Sequence, residues 1–125
     1  MMKFLRNFEP VAYTLLRVVF GFLLACHGAQ KLFGVLGGQP QIHNRMLLIA
    51  AILEFGGGIL IALGVVTRIA AFIVSGEMAV AYFMVHAKGG FFPIVNHGEL
   101  AVIYCFVALF IACHGAGQFA AQKDS

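Results

Sequence analysis

Two glutamates, Glu54 and Glu77, stand alone among the charges of long apolar runs, and an arginine, Arg17, lies inside a third such run. Ionisable groups in apolar spans are costly, so they turn inward and pair. Two carboxyls sharing one permanent cation in low dielectric do not both ionise, and one of them then keeps a proton at neutral pH. The chemistry this suggests is proton handling. Glu54 and Glu77 would exchange protons, Arg17 would be their charge partner, and His27 is an imidazole able to donate or accept.

A second group gathers on the side opposite the termini. His27, His43, His86 and His97 are four of the five histidines, and Lys31, Asn96 and Glu99 accompany them. His86, Asn96, His97, Glu99 and Lys31 are candidate ligand-binding residues at this end. On ligand chemistry alone, His27, His86, His97 and Glu99 suit zinc, iron or copper. No HxxxH or HExxH spacing supports that use and the four come from separate segments, so no metal site is assigned.

What must position these residues is helix in lipid. Of 125 residues, 62% are hydrophobic and 10% charged, against roughly 45–50% and 25% in soluble domains. A soluble domain of this size could not hide so much apolar surface. The net charge of +3 comes from scattered basic residues without a stripe, which argues against a nucleic-acid partner. Three cysteines, Cys26, Cys105 and Cys113, show no CxxC spacing, and their odd number argues against a disulfide framework.

A span needs about 20 apolar residues. Four runs qualify, at approximately residues 11–33, 46–66, 69–87 and 100–119. The expected fold is therefore all-α: an integral membrane four-helix bundle in a single domain over residues 1–125, with both termini on the same side. Thr67 is placed to cap the third helix, and Asn96 with Glu99 reads as a capping box for the fourth. Lys3, Arg6, Arg68 and Lys123 on the terminal side against Lys31, Arg45 and Lys88 on the other lean toward cytoplasmic termini. At about 1.5 Å per residue, Arg17 and Glu77 come out at similar depths of about 9 and 12 Å, with Glu54 near about 18 Å and His27 near about 24 Å. Arg17–Glu77 is thus the expected pair, with Glu54 in reach of it or of His27.

Helical spacing puts Arg17, Gly21, Leu24, Gly28 and Lys31 on one stripe, and Ala50, Glu54, Gly57 and Gly58 on another. Small residues permit close helix approach, so both stripes are expected to face protein. Leu23-Leu24-Ala25-Cys26 resembles a lipoprotein cleavage box, yet Arg17 interrupts its apolar core and three more spans follow. The first segment is expected to remain a membrane helix. Gly28 there allows close packing, and Lys31 snorkels outward. The similar CHGA of residues 113–116 should leave the membrane on the opposite face.

Leu15–Gly34, Leu53–Ala71, Glu77–His86, Gly89–Pro93 and Asn96–Tyr104 together resemble the DoxX family of small four-helix membrane proteins. One departure is His97, where the family pattern has a second glycine. The resemblance implies a multi-pass protein of the bacterial inner membrane. Family members often carry an oxidoreductase label, and some are associated with quinone-linked sulfur oxidation. It implies family-like roles for Arg17, His27, Gly28, Lys31, Glu54, Gly57, Thr67, Glu77, His86, Asn96 and Glu99. The sequence fixes no cofactor; a quinone is the candidate. The expected function is a quinone-linked oxidoreductase or a subunit of a membrane redox complex, its electrons supplied by a partner because no dinucleotide loop or CxxC is present. The alternatives are a non-enzymatic membrane anchor or assembly subunit, and a small proton-coupled transporter working as a homo-oligomer.

Overall fold

The computed structural model describes residues 2–40 and 43–125, the side chain of Asn96 excepted. Three long apolar helices form: α1 (Met2–Phe33), α2 (Arg45–Leu63) and α3 (Thr67–Ala81). A π-helical turn (Tyr82–His86) and a 3-10 turn (Ala87–Gly89) extend α3, so that this helix also reaches membrane-spanning length. After a short α4 (Pro93–Asn96), α5 (Glu99–His114) is an apolar helix of 16 residues, about 24 Å long. No strand occurs among the described residues.

The distribution of side chains shows which solvent the bundle is built for. Phe22, Ile52, Phe72 and Phe106 are more than half exposed, whereas Arg17 and Glu54 are each 2% exposed. Large apolar groups outside and charges within is the arrangement that hydrocarbon favours. The protein is a membrane helical bundle.

Helix α1 packs on α2, α3 packs on α5, and α2 against α3 joins the two halves. Rings connect α1 to α5: Phe20 meets Tyr104 at 5.1 Å and Tyr13 meets Phe110 at 6.0 Å, both edge-on. The order of these contacts makes α1 and α5 antiparallel, so the two Cys-His-Gly stretches lie at opposite ends. Between the ends, Leu24, Ile61, Ala71, Val74, Ala108 and Ile111 form a fully buried apolar layer.

Glycine decides how closely α1 and α2 approach. A Cβ on Gly21 would stand 2.5 Å from the Gly58 carbonyl oxygen, and one on Gly58 would stand 2.6 Å from the Ala25 nitrogen. The expected stripes do face protein here: Arg17, Gly21, Leu24 and Gly28 are buried on α1, as are Glu54 and Gly58 on α2.

Helix ends depart from the sequence expectation in three places. First, α1 begins at Met2, so its charged early turns, with Lys3, Arg6 and Glu9 exposed, precede the apolar run. Second, Thr67 is the first residue of α3, not its cap. Val66 holds that position in the left-handed region (φ 40°), and the Thr67 hydroxyl bonds that of Ser125 at 2.9 Å. Third, α5 begins at Glu99 with Gly98 in the cap position expected for Asn96, which is the last residue of α4. Asn96's side chain lies outside the described residues.

The last expected span is also shorter than 100–119. The helix stops at His114 because Gly115 (φ 89°) and Gly117 (φ 84°) take left-handed conformations. The chain then folds back beneath the bundle. Ala121 N–H donates to Leu63 O at 3.0 Å, Gln122 N–H to Gly64 O at 2.9 Å, and Val66 N–H to the Gln122 side-chain oxygen at 2.8 Å. The tail thereby caps the end of α2 and the start of α3. Arg68 donates to the carbonyls of Ala112, Cys113 and His114, a cation placed on the exposed C-terminal carbonyls of α5.

Candidate functional site: a polar cavity at the histidine end

Glu54 and Lys31 are brought together by a missing side chain. Gly28, one turn before Lys31, lies directly on the Phe55 backbone, where any Cβ would collide. The last turns of α1 therefore rest against the middle of α2, and the Lys31 ammonium reaches both Glu54 oxygens, at 3.0 and 2.8 Å. Lys31 does not snorkel outward. It folds back because a buried carboxylate leaves its charge far less satisfied than an ammonium at the membrane edge, so the cation moves to it.

A second glycine sets the other side. A Cβ on Gly57 would stand 2.8 Å from Val74 Cγ2, so α3 also approaches α2 closely. Glu77 on α3 then lines the same cavity as Glu54, near enough for the two carboxyls to interact. The Glu77 Oε1 is buried and finds no hydrogen-bond partner among the described residues. One lysine thus serves two carboxyls.

Arg17 plays no part in this group, contrary to the expected Arg17–Glu77 pair. Its guanidinium donates to the carbonyls of Ala116, Phe119 (3.0 Å) and Ala62 (3.4 Å), at the far end of the bundle. Depth along one axis cannot distinguish a glutamate from a returning tail. The carbonyls win because Gly115 and Gly117 turn the chain back under α1, and α2 ends at the same level, where the Ala62 carbonyl also accepts from Arg17.

Around the lysine and two glutamates is a cavity of ≈ 220 Å³. His27 enters from α1, its ring edge-on to Tyr104 of α5 at 5.9 Å. His86 enters from the π-helical turn, lying over the Tyr82 ring at 6.4 Å. His97 enters from the link between α4 and α5, at a left-handed position (φ 61°). Met78, Ala81, Leu100 and Ala101 supply the apolar remainder of the wall. Of the residues expected at this end, His27, Lys31, His86 and His97 line the cavity with both glutamates. Glu99 and His43 are exposed and do not line it. Among the described residues, no three His, Cys, Asp or Glu side chains converge as metal ligands.

Tyr104 was absent from the sequence expectation. Its signal was present: it is a lone hydroxyl on an otherwise apolar helix, and buried phenols usually find a polar neighbour. The helical phase of α5 relative to α1, which aims Tyr104 at His27, is a tertiary fact.

A cavity with a lysine-bound carboxylate, a second carboxyl facing it, three imidazoles and a phenol can accept and donate protons at several atoms within one membrane-embedded space. The DoxX family profile matches residues 12–87, which carry Lys31, both glutamates and two of those histidines. The chain belongs to the DoxX family. It is 40% identical over 126 residues to an uncharacterized protein of Haemophilus influenzae, spanning 95% of this chain and 94% of that one. It is 28% identical over 89 residues to the Inner membrane protein YqjF of Escherichia coli, covering 67% and 68% of the two chains. It is 26% identical over 116 residues to a Bacillus subtilis protein named "Putative oxidoreductase CatD", covering 89% and 84%. No solved structure matches this DoxX protein significantly.

Proposed function

We propose that this DoxX protein is a quinone-linked redox protein of the bacterial inner membrane, its polar cavity exchanging protons with the quinone head. The observation that carries the reading is that Glu54 and Glu77 line one cavity with Lys31, which bonds Glu54 in the single ion pair found among the described residues. Two neighbouring carboxyls in a low-dielectric cavity stay together when they hold one proton between them. Such a pair releases and recovers a proton without leaving a bare charge in lipid. Reducing a quinone to a quinol consumes two electrons and two protons. The electrons come from a redox partner in the membrane, and His27, the glutamate pair and Tyr104 offer the protons. The names of the E. coli and B. subtilis relatives, "Inner membrane protein YqjF" and "Putative oxidoreductase CatD", support this reading.

The distribution of Lys3, Arg6, Arg68 and Lys123 favours cytoplasmic termini, which puts the cavity mouth at the opposite face. The buried layer of Leu24, Ile61, Val74 and Ile111 lies between the cavity and Arg17. It favours proton exchange with one side only, and so favours redox chemistry over transport.

The test is the quinone content per polypeptide after purification in a mild, lipid-retaining detergent. The expected result is near-stoichiometric quinone, lost in Glu54→Gln and His27→Ala. Quinone no higher than the co-purifying lipid background overturns the reading in favour of an anchor subunit. Infrared spectra in the same detergent should show one protonated carboxyl at neutral pH, removed by Glu77→Gln.

A further inference from the structure

The polar cavity has a second neighbour on its lipid side. Between α2 and α3 runs an apolar groove of ≈ 300 Å³, whose walls include Met46, Ala50, Leu53, Val80 and Met84. Two residues line both spaces: Glu77 and Ala81. Glu77 is therefore the boundary between a space rich in ionisable groups and one that is almost entirely hydrocarbon.

We infer that this groove is the lateral entrance to the cavity, and that it holds the apolar tail of a membrane-dissolved ligand whose polar head meets Glu77. The inference rests on the proposed proton-handling role of the cavity and names the class of substrate it takes: an amphiphile with a hydrogen-bonding head and a hydrocarbon tail.

Three observations argue for it. The cavity alone, at ≈ 220 Å³, is smaller than the roughly 300–1,000 Å³ of typical small-molecule pockets, and the groove brings the joint space into that range. The groove exists because small residues line it: a Cβ on Gly76 would meet nothing within 4 Å, and Ala50 and Ala81 are no larger than a methyl group. Helices α2 and α3 are held in contact by Gly57 near mid-span, and the groove is lined toward Met46 on the one and Val85 beyond the end of the other. Finally, Glu77 Oε1 is buried at this junction without a hydrogen-bond partner among the described residues, as a group open to a ligand's polar head would be. Two other apolar hollows, along α3–α5 and along α1–α5, adjoin the cavity through Met78, Ala101 or Tyr104, and neither shares a carboxyl with it.

The test compares a tailed with a tail-less probe on the full-length protein in detergent: decylubiquinone and 2,3-dimethoxy-5-methyl-1,4-benzoquinone. Gly76→Leu fills the groove without a backbone clash and replaces a weak helix former, so the variant should fold. Decylubiquinone should bind at least tenfold more weakly to Gly76→Leu than to the unaltered chain, with the tail-less compound unchanged. Ala50→Leu should repeat the pattern from the facing helix. If both probes bind in a Glu54-dependent way but neither variant discriminates between them, the groove holds only bilayer acyl chains and the inference fails while the cavity reading stands. If neither probe binds in a Glu54-dependent way, both fall together.

Discussion

The Lys31 ammonium bonds both oxygens of the Glu54 carboxylate, at 3.0 and 2.8 Å, across the closest approach of α1 and α2. Glu54 is 2% exposed and Lys31 31%. The pair is consequently half-desolvated: its carboxylate depends on the lysine, whereas its ammonium retains some access to water. Removing Lys31 strands a buried carboxylate. Removing Glu54 leaves a lysine that can turn outward.

That asymmetry sets the first prediction. Lys31→Met should lower stability by about 2 kcal/mol, less than the 3–5 kcal/mol of a fully buried pair because Lys31 is partly solvated. Glu54→Gln alone should cost less, and the Lys31→Met/Glu54→Gln double variant should recover most of the loss. Thermal unfolding of the four proteins in one detergent gives the coupling. Additive losses would mean that the pair contributes nothing.

Gly28→Ala should be far worse than Gly56→Ala, because Gly28 lies against a neighbouring helix and Gly56 does not. At Gly28 the new Cβ meets the Phe55 backbone, whereas at Gly56 it meets nothing within 4 Å. Overpacking costs about 1–3 kcal/mol, and replacing an unconstrained helical glycine gains about 0.5–1 kcal/mol. Melting temperatures should therefore move in opposite directions. Gly28→Ala should also weaken any Glu54-dependent quinone binding, because it pushes Lys31 away from the carboxylate.

Arg17 is expected to govern the tail and not the glutamates. In Arg17→Met the carbonyls of Ala116 and Phe119 lose their donor, and residues 115–125 should detach. Amide exchange at Ala121 and Gln122, now protected by Leu63 O and Gly64 O, should accelerate. Glu77→Gln should leave that protection unchanged. Equal effects of the two substitutions would restore the Arg17–Glu77 pair read from depth alone.

Val66 occupies the left-handed region at φ 40° while 39% exposed. A β-branched residue there is strained by roughly 1–2 kcal/mol. Val66→Gly should raise stability by about 0.5–1 kcal/mol after the chain-entropy cost of glycine. Val66→Ala should not, since it keeps the strain and loses the side chain's contacts. Both variants keep the backbone N–H that donates to Gln122, so their difference isolates backbone strain.

The apolar excess and four hydrophobic runs were enough to specify a helical membrane protein, because hydrocarbon admits few other solutions for a chain whose backbone must be satisfied internally. Helical spacing likewise marked which faces of α1 and α2 are buried, since that period is a property of the helix itself. The membership of the histidine end was legible for His27, Lys31, His86 and His97, which lie toward the side opposite the termini, whereas Glu77 was expected nearer the depth of Arg17 and only the structure brings it to this cavity. What depth could not supply is azimuth and return. The choice of cation for the glutamates depended on Gly28 and Gly57, whose missing side chains fix how two pairs of helices meet. The fate of Arg17 depended on Gly115 and Gly117, which end α5 early and carry carbonyls back into the bundle. Tyr104 and the groove beside Glu77 depended on the mutual rotation of helices far apart in sequence. Those rotations are set by many small packing contacts at once, and no single segment of the chain encodes them.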